Sequence, residues 1–131
     1  MSTPTPADRN VAVWFEIPAT DFPRARHFYE TVFGVRLIEE RCPQSGHVMG
    51  IFPATGNAVK GCIIAGGGYT PGVTGSVVYL DGGDDLTAPL ERVWAAGGRV
   101  VQPKTLIDES IGYFAHFEDS EGNRVGLHSL R

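Results

Sequence analysis

The sequence lacks the segments that direct a chain into or across a membrane. No apolar run approaches the roughly 20 residues that a membrane-spanning helix needs. The first ten residues, "MSTPTPADRN", have neither the charged start nor the apolar middle of a secretion signal. We therefore expect a short disordered lead-in over residues 1–10 and a cytoplasmic location.

Clustered positive charge and cysteine motifs are also missing. The formal net charge is -4, and the Lys and Arg residues are scattered along the chain. Nucleic-acid binding needs a concentrated basic surface, so neither a nucleic acid nor a membrane is expected as a partner. Cys42 and Cys62 form no CxxC motif, which predicts two reduced, half-buried thiols.

Glycine and proline are abundant instead, at 17 and 9 residues. They mark many short connections without forming a low-complexity segment, which is typical of a sheet-rich fold with tight turns. A chain of 131 residues is long enough for one domain with a real core. We expect that domain over residues 11–131.

The first half of the chain predicts a strand, a helix and three further strands. The alternating segment "VAVWFEIPA" indicates a strand over 11–18. A helix follows, with Asp21 as its cap, Pro23 in its first turn and Gly34 at its end. The three strands are predicted at 35–41, 47–53 and 60–66.

The second half repeats this order. A strand at 75–82 precedes the helical segment "DDLTAPLERVWAAGG", and Leu86, Leu90, Val93 and Trp94 form its apolar stripe. Strands are predicted at 99–103, 112–118 and 124–130. The spacing from Asp21 to Asp84 equals that from Gly34 to Gly97, at 63 positions. We therefore divide the domain into repeat one (about 11–66), a linker (67–74) and repeat two (about 75–130).

Two motifs within this duplication point to a known family. The segments "FY..VFG" in the first helix and "D.EGN" before the last strand resemble the vicinal oxygen chelate superfamily. Glyoxalase I, bleomycin-resistance proteins, extradiol dioxygenases and methylmalonyl-CoA epimerase are members. The resemblance implies an α+β fold in which tandem βαβββ repeats form a curved mixed sheet with a central cleft. It also implies a homodimer.

The resemblance does not extend to the family's metal ligands. In metal-dependent members, His or Glu side chains on the first, fourth, fifth and eighth strands hold one divalent ion. The matching positions carry Trp14, Ser76 and Gly126, and the fourth strand, "GCIIAG", offers no carboxylate or imidazole. We therefore expect no inherited metal site and no cofactor, although a shifted metal site that uses His116 and His128 stays open.

Strand alternation selects the residues that face the predicted cleft. Val13, Phe15 and Ile17 should face the helices, as should Ala115, Phe117, Val125 and Leu127. The predicted ligand-binding residues on the opposite face are Trp14, Glu16, Ser76, Val78, Phe114, His116, Glu118, Gly126 and His128. Glu16 or His128 is the predicted catalytic base, since burial raises a carboxyl pKa and histidine titrates near neutral pH.

Two classes of function remain open at this point. The first is a lyase, isomerase or dioxygenase for a small oxygenated substrate, which uses a metal ion or the pair Glu16 and His128 as acid and base. The second is a binding protein, similar to bleomycin-resistance proteins, that holds an aromatic or cationic small molecule without turnover. Trp14, Phe114 and the small residues at the ligand positions favour the second class.

Overall fold

The computed structural model describes residues 10–131. The predicted lead-in therefore lies outside the described residues, apart from an exposed Asn10. The elements in chain order are β1 (Trp14–Ala19), α1 (Phe22–Phe33), β2 (Ile38–Arg41), β3 (Val48–Ile51), β4 (Lys60–Ala65), β5 (Tyr79–Asp81), α2 (Thr87–Val93), β6 (Arg99–Asp108), β7 (Gly112–Glu118) and β8 (Arg124–Ser129). This order confirms the duplicated βαβββ pattern. Neither helix of the described chain has the length and apolar character needed to cross a membrane.

The eight strands form two four-stranded sheets with the same topology. The strand order is β1-β4-β3-β2 in the first sheet and β5-β8-β7-β6 in the second. The first strand of each repeat pairs in parallel with the last, and the other pairs are antiparallel. The mixed sheets and two helices confirm the predicted α+β fold.

The first helix forms where the sequence predicts it, because both of its ends are satisfied locally. Asp21 Oδ1 accepts a hydrogen bond from the Arg24 backbone N–H at 3.0 Å. At the other end, Gly34 has a φ of 65°, and its N–H donates to the Glu30 carbonyl. Glycine adopts this left-handed conformation without steric cost. The caps fix the start and the end of α1.

One core joins both helices to both sheets. The inner face of α1 is fully buried at Phe28, Tyr29 and Val32, and the rings of Phe28 and Phe117 lie 5.5 Å apart. The strand alternation of the last hairpin is confirmed, since all four residues predicted to face the helices are buried: Ala115, Phe117, Val125 and Leu127. The opposite faces of these strands remain for a site.

The second helix differs from its prediction. Trp94 is 81% exposed and lies after the last residue of α2, whereas Leu86 and Val93 are buried. The helix has only seven residues and ends at Val93, so the predicted apolar stripe wrongly includes Trp94. Asp84 is not its cap, because Asp85 Oδ1 accepts from the Thr87 N–H at 2.8 Å. The exact 63-residue spacing therefore fails at this cap.

Strand boundaries differ most around the linker and at the sheet edge. β5 begins at Tyr79, so Ser76 and Val78 precede the regular strand. Val13 also precedes its strand and is 74% exposed, although alternation predicted that it faces the helices. β6 runs through Pro103 to Asp108. Proline is tolerated there because β6 is an edge strand and needs no hydrogen bond on its outer side.

Candidate functional site

A cavity of about 420 Å³ lies where the two repeats meet. Glu16 lines it from β1, Ser76 and Val78 line it from the segment before β5, and Asn123 and Arg124 line it at the start of β8. Three of the predicted ligand-binding residues, Glu16, Ser76 and Val78, thus share one cavity. Volumes of about 300–1,000 Å³ are usual for small-molecule sites.

Glu16 is the acidic group of this cavity. Its Oε1 accepts from the Tyr69 hydroxyl at 2.7 Å, and its Oε2 accepts from Trp14 Nε1 at 3.2 Å. The hydrogen bond to Glu16 raises the pKa of Tyr69. Both donors are neutral, and within residues 10–131 Glu16 forms no salt bridge with a Lys, Arg or His side chain.

Tyr69 was missed by the sequence analysis. It lies in the linker, where alternation gives no information about side-chain direction. Its ring contacts the ring of His47 edge-on, with the centroids 5.2 Å apart, and His47 Nε2 lies 2.7 Å from the Gly67 carbonyl oxygen. His47 and the linker thus hold Tyr69 over Glu16.

The two cysteines are free but differ in environment. Cys62 is opposite Glu16 in the β1–β4 register and is fully buried, which goes beyond the predicted half-burial. Burial, together with the Glu16 charge, raises the pKa of its thiol to about 12. Only the thiolate is a strong nucleophile, so the Cys62 thiol is expected to be unreactive. Cys42 is half-buried, as predicted.

On the second sheet, His116 lies between Tyr79 and Arg124. Arg124 Nε donates to His116 Nδ1 at 2.9 Å, and the Tyr79 hydroxyl lies 2.6 Å from His116 Nε2. Arginine Nε always carries its hydrogen, so Nδ1 must accept and the ring proton must sit on Nε2. Burial and the charge of Arg124 lower the pKa of His116, which favours this neutral form.

Tyr79 reaches His116 because Gly126 has no side chain. Tyr79 and Gly126 are register partners on β5 and β8, and a Cβ on Gly126 would stand 2.5 Å from Tyr79 Cδ2. Alternation from Ser76 and Val78 would have turned Tyr79 toward the helices. The regular strand begins only at Tyr79, so alternation cannot be extended from Ser76 and Val78 to Tyr79. The room predicted at Gly126 is filled by a tyrosine ring.

The remaining predicted residues lie away from the cavity. His128 lines a second cavity of about 680 Å³ beside Asp81, and its Nε2 lies 2.7 Å from the Ile111 carbonyl oxygen. Phe114 packs edge-on against the His116 ring, and Glu118 accepts from Arg99 at 3.2 Å. Glu16 and His128 therefore line different cavities. A catalytic role for either one stays a prediction.

The positions that carry metal ligands in the family do not fit a divalent ion. Trp14 Nε1 is only a donor, and it donates to Glu16. Gly126 offers no ligand atom, and the Tyr79 ring occupies the space beside it. Among residues 10–131, no group of three or more His, Cys, Asp or Glu side chains is arranged to hold a metal ion. Both ring nitrogens of His116 are engaged, so a shifted site there would have to displace Tyr79 or Arg124.

The "D.EGN" hairpin is the joint beside the cavity. Asp119 accepts from the Tyr29 hydroxyl at 2.7 Å, and Asn123 Nδ2 donates to the Pro18 carbonyl at 2.7 Å. Glu121 Oε1 accepts from the backbone N–H groups of Thr20 and Asp21 at 2.9 and 2.8 Å. The two motifs of the sequence therefore contact each other, and together they tie β8 to β1 and to the start of α1.

A family comparison agrees with this architecture. Residues 12–127 match the model of the Glyoxalase/Bleomycin resistance protein/Dioxygenase superfamily. The chain belongs to this superfamily. Among curated proteins, the chain is 27% identical over 114 residues to "Putative glyoxylase CFP32" of Mycobacterium tuberculosis and of Mycobacterium bovis. The match covers 87% of this chain but only 43% of those proteins, so the chain spans less than half the length of these superfamily relatives.

Solved structures with the same fold include enzymes and binding proteins. Maize glyoxalase I matches 90% of this chain and 45% of its own, with a TM-score of 0.64 and 17% identity. The fosfomycin resistance protein FosX of Listeria monocytogenes matches 92% of this chain and 90% of its own, with a TM-score of 0.64 and 16% identity. TnmS3, an antibiotic binding protein of a Streptomyces species, matches 92% and 96%, with a TM-score of 0.62 and 23% identity. At these identities the likeness shows the fold.

Proposed function

We propose that this superfamily member binds a cationic small molecule without a metal ion in the cavity lined by Glu16, and does not act as a glyoxalase. The observation that carries the proposal is the Glu16 carboxylate, which lines a ligand-sized cavity and receives hydrogen bonds only from neutral groups. Glu16 is exposed to the cavity and to solvent, and a ligand cation could donate to its carboxylate the charge-assisted hydrogen bonds that its neutral partners do not provide. Trp14, which is 41% exposed beside Glu16, offers a ring face for a cation or an aromatic group.

The metal-free part of the proposal depends on Gly126 and Tyr79. A divalent ion needs several fixed donors, and the four family positions supply none of the required carboxylates or imidazoles. The Tyr79 ring fills the space next to Gly126, so a water molecule or substrate atom has no equivalent place there. TnmS3 is a neighbour named as an antibiotic binding protein, which supports binding without chemistry as a use of this fold.

Thermal unfolding tests the metal-free part. Chelator-stripped protein should show no rise in Tm with Ni, Zn, Mn or Fe ions, since a ligand at 100 times its dissociation constant adds about 2.7 kcal/mol. A rise of several degrees with one metal, abolished by His116→Ala and His128→Ala, would replace this proposal with a metal-dependent enzyme. Turnover of the methylglyoxal and glutathione adduct by metal-loaded protein would do the same.

Tryptophan fluorescence tests the cation part. The chain has two tryptophans, and Trp94 is exposed at the end of α2, so Trp94→Phe leaves Trp14 as the single reporter. We expect cadaverine and metal-free bleomycin to change Trp14 emission in a saturable way. Glu16→Gln should weaken binding, and Glu91→Gln, which changes an exposed carboxylate on α2, should not. Equal binding by the Glu16→Gln protein would show that the cavity is not the cation site.

We also propose the homodimer that the family resemblance implies. Apolar side chains around the start of β1 and β5 are exposed, with Val13 at 74% and Tyr79 at 51%. Exposed apolar patches of this kind are typical of surfaces that another subunit covers. Light scattering on the purified protein should give twice the 14.1 kDa chain mass, and a monomer mass at high protein concentration would contradict the dimer.

A further inference from the structure

The cavity that holds Glu16 also holds an arginine with no acidic partner. Arg124 lines the cavity and is half-buried at the first position of β8. Within residues 10–131, no carboxylate lies within ion-pair distance of Arg124. Its cross-strand neighbour Glu118 pairs with Arg99 instead, at 3.2 Å. The guanidinium is therefore available to a partner that is not part of the described chain.

His116 holds this guanidinium by one nitrogen and leaves the others open. Within residues 10–131, the Arg124 side chain makes one hydrogen bond, from Nε to His116 Nδ1. The terminal nitrogens, which form the fork that binds carboxylates and phosphates in two parallel hydrogen bonds, have no partner within residues 10–131. His116 is itself fixed by the Tyr79 hydroxyl on its other side. Arg124 is thus oriented in advance, which lowers the entropy cost of binding an anion.

Glu16 and Arg124 do not satisfy each other, although both line the same cavity. A direct Glu16–Arg124 salt bridge would have neutralised both charges, and the described residues form no such salt bridge. Thr70, Thr74 and Ser76 add neutral polar groups to the cavity lining. A ligand with one charge only would leave the second group of the cavity without a counterion.

We propose that Arg124 is an anion-binding residue of the cavity, so that the ligand is a zwitterionic small molecule with a carboxylate-type group at Arg124 and a cationic group at Glu16. His116 is the positioning residue for Arg124. This inference rests on the proposed function and specifies the ligand class of the same cavity. It adds a requirement that cation binding alone does not have.

Lysine and lysinamide form the matched probe pair, because they share shape and ammonium groups and differ in the carboxylate. Calorimetric or NMR titration should show that wild-type protein binds lysine about tenfold more tightly than lysinamide, as expected for a charge-assisted hydrogen-bonded contact. Arg124→Gln should remove this difference and leave lysinamide binding unchanged. Arg41→Gln, at an exposed cation on β2, should leave the difference intact.

The outcomes separate the two proposals. If lysine and lysinamide bind equally well to the wild-type protein, the anion-binding role of Arg124 is overturned and the cation site at Glu16 stands. If neither lysine nor lysinamide binds but cadaverine does, the zwitterion proposal is overturned and the cation site at Glu16 stands; if cadaverine does not bind either, the proposed function fails as well. If the preference for lysine survives Arg124→Gln, the anion binds elsewhere, and Arg124 is not its partner.

Discussion

Asn123 and Arg124 are neighbours in the chain, yet the fold uses them in opposite ways. Asn123 accepts from the Gly72 N–H and donates to Pro18 and Asp119, so both atoms of its amide are used within the protein. Arg124 also lines the cavity, but its guanidinium donates one hydrogen bond, from Nε, and its terminal nitrogens have no partner within residues 10–131. Asn123 therefore connects the two repeats, whereas Arg124 retains donors that a ligand could use.

This contrast separates stability from binding within one hairpin. Groups that are fully paired inside the protein cost free energy when one partner is removed, because the other partner is then buried without a hydrogen bond. Groups left open cost little when removed, because the native state does not depend on them. Substitutions on the two sides of the Asn123–Arg124 bond should therefore have different readouts.

Asp119→Ala, which removes a fully paired group of the hairpin, should have the largest effect on stability. Asp119 is 4% exposed and accepts from the Tyr29 hydroxyl and from the Glu121 and Asn123 backbone N–H groups. Its loss leaves several buried donors unpaired, which should lower the free energy of unfolding by about 3 kcal/mol in urea denaturation. Asp108→Ala is the control.

Asp108 makes a comparable set of turn hydrogen bonds at an exposed position. Its replacement should cost less than about 1 kcal/mol, because water can satisfy the freed donors. Equal losses for the two variants would mean that burial does not give the Asp119 network its importance.

Glu121→Ala should have the next largest effect. The Glu121 side chain is fully buried, and it accepts from two backbone N–H groups at the entry to α1 as well as from Arg24. Removing such a cap should lower the unfolding free energy by about 2 kcal/mol, with Glu109→Ala at an exposed turn as the unaffected control. Native-state hydrogen exchange should become faster at the start of α1, and unchanged exchange there would show that Glu121 does not hold the helix entry.

Gly126→Ala tests whether the contact between Tyr79 and His116 supports both stability and ligand binding. The added Cβ would force the Tyr79 ring away from β8 and would break its contact with His116. We expect a loss of about 1 kcal/mol in unfolding free energy and weaker lysine binding. Gly67→Ala, where a Cβ meets no atom within 4 Å, should change neither value. A Gly126→Ala protein with wild-type lysine affinity would separate Tyr79 from the positioning of Arg124.

The pH dependence of lysine binding should be the smallest effect, and it tests whether His116 positions Arg124. Arg124 from β8 and Tyr79 from β5 contact this ring, Phe114 packs against it from its own strand, and Gln102 on β6 is its register partner. Burial and the Arg124 charge lower the pKa of His116 in the folded protein, so the ring becomes protonated only at pH values below the ordinary pKa of histidine. A protonated Nδ1 cannot accept from Arg124, and lysine affinity should fall as the pH decreases through that range.

His116→Asn distinguishes positioning from general structural support. Its side-chain oxygen can accept near the place of Nδ1 and does not titrate, so lysine binding should be retained and should lose this pH dependence. His116→Phe, which keeps a ring but no acceptor, should bind lysine more weakly at every pH. Persistence of the same pH profile in His116→Asn would assign the titration to another group.

The sequence predicts the fold well because the features that determine it are local. The caps at Asp21 and Gly34, the alternation of the last hairpin and the repeated element order depend on residues close together in the chain. The errors arise where a short element ends early, as at Trp94, or where an edge strand tolerates proline, as at Pro103. In both places tertiary position decides, and periodicity carries no information about it.

The candidate site is predictable only in part for the same reason. Alternation on regular strands correctly grouped Trp14 with Glu16, which are hydrogen-bonded on one face of β1. Tyr69 and Tyr79 could not be placed, since one lies in the linker and the other follows an irregular segment. The pairing of Arg124 with His116 depends on strand register between β7 and β8, which the sequence does not specify residue by residue.

The Tyr79 ring beside Gly126 also couples these two positions. Any side chain at position 126 would begin with a Cβ that overlaps the ring, so it could be accommodated only if Tyr79 moved or were replaced by a smaller residue. Changes at positions 79 and 126 should therefore be non-additive, with a side chain at position 126 tolerated better beside a small residue than beside the tyrosine.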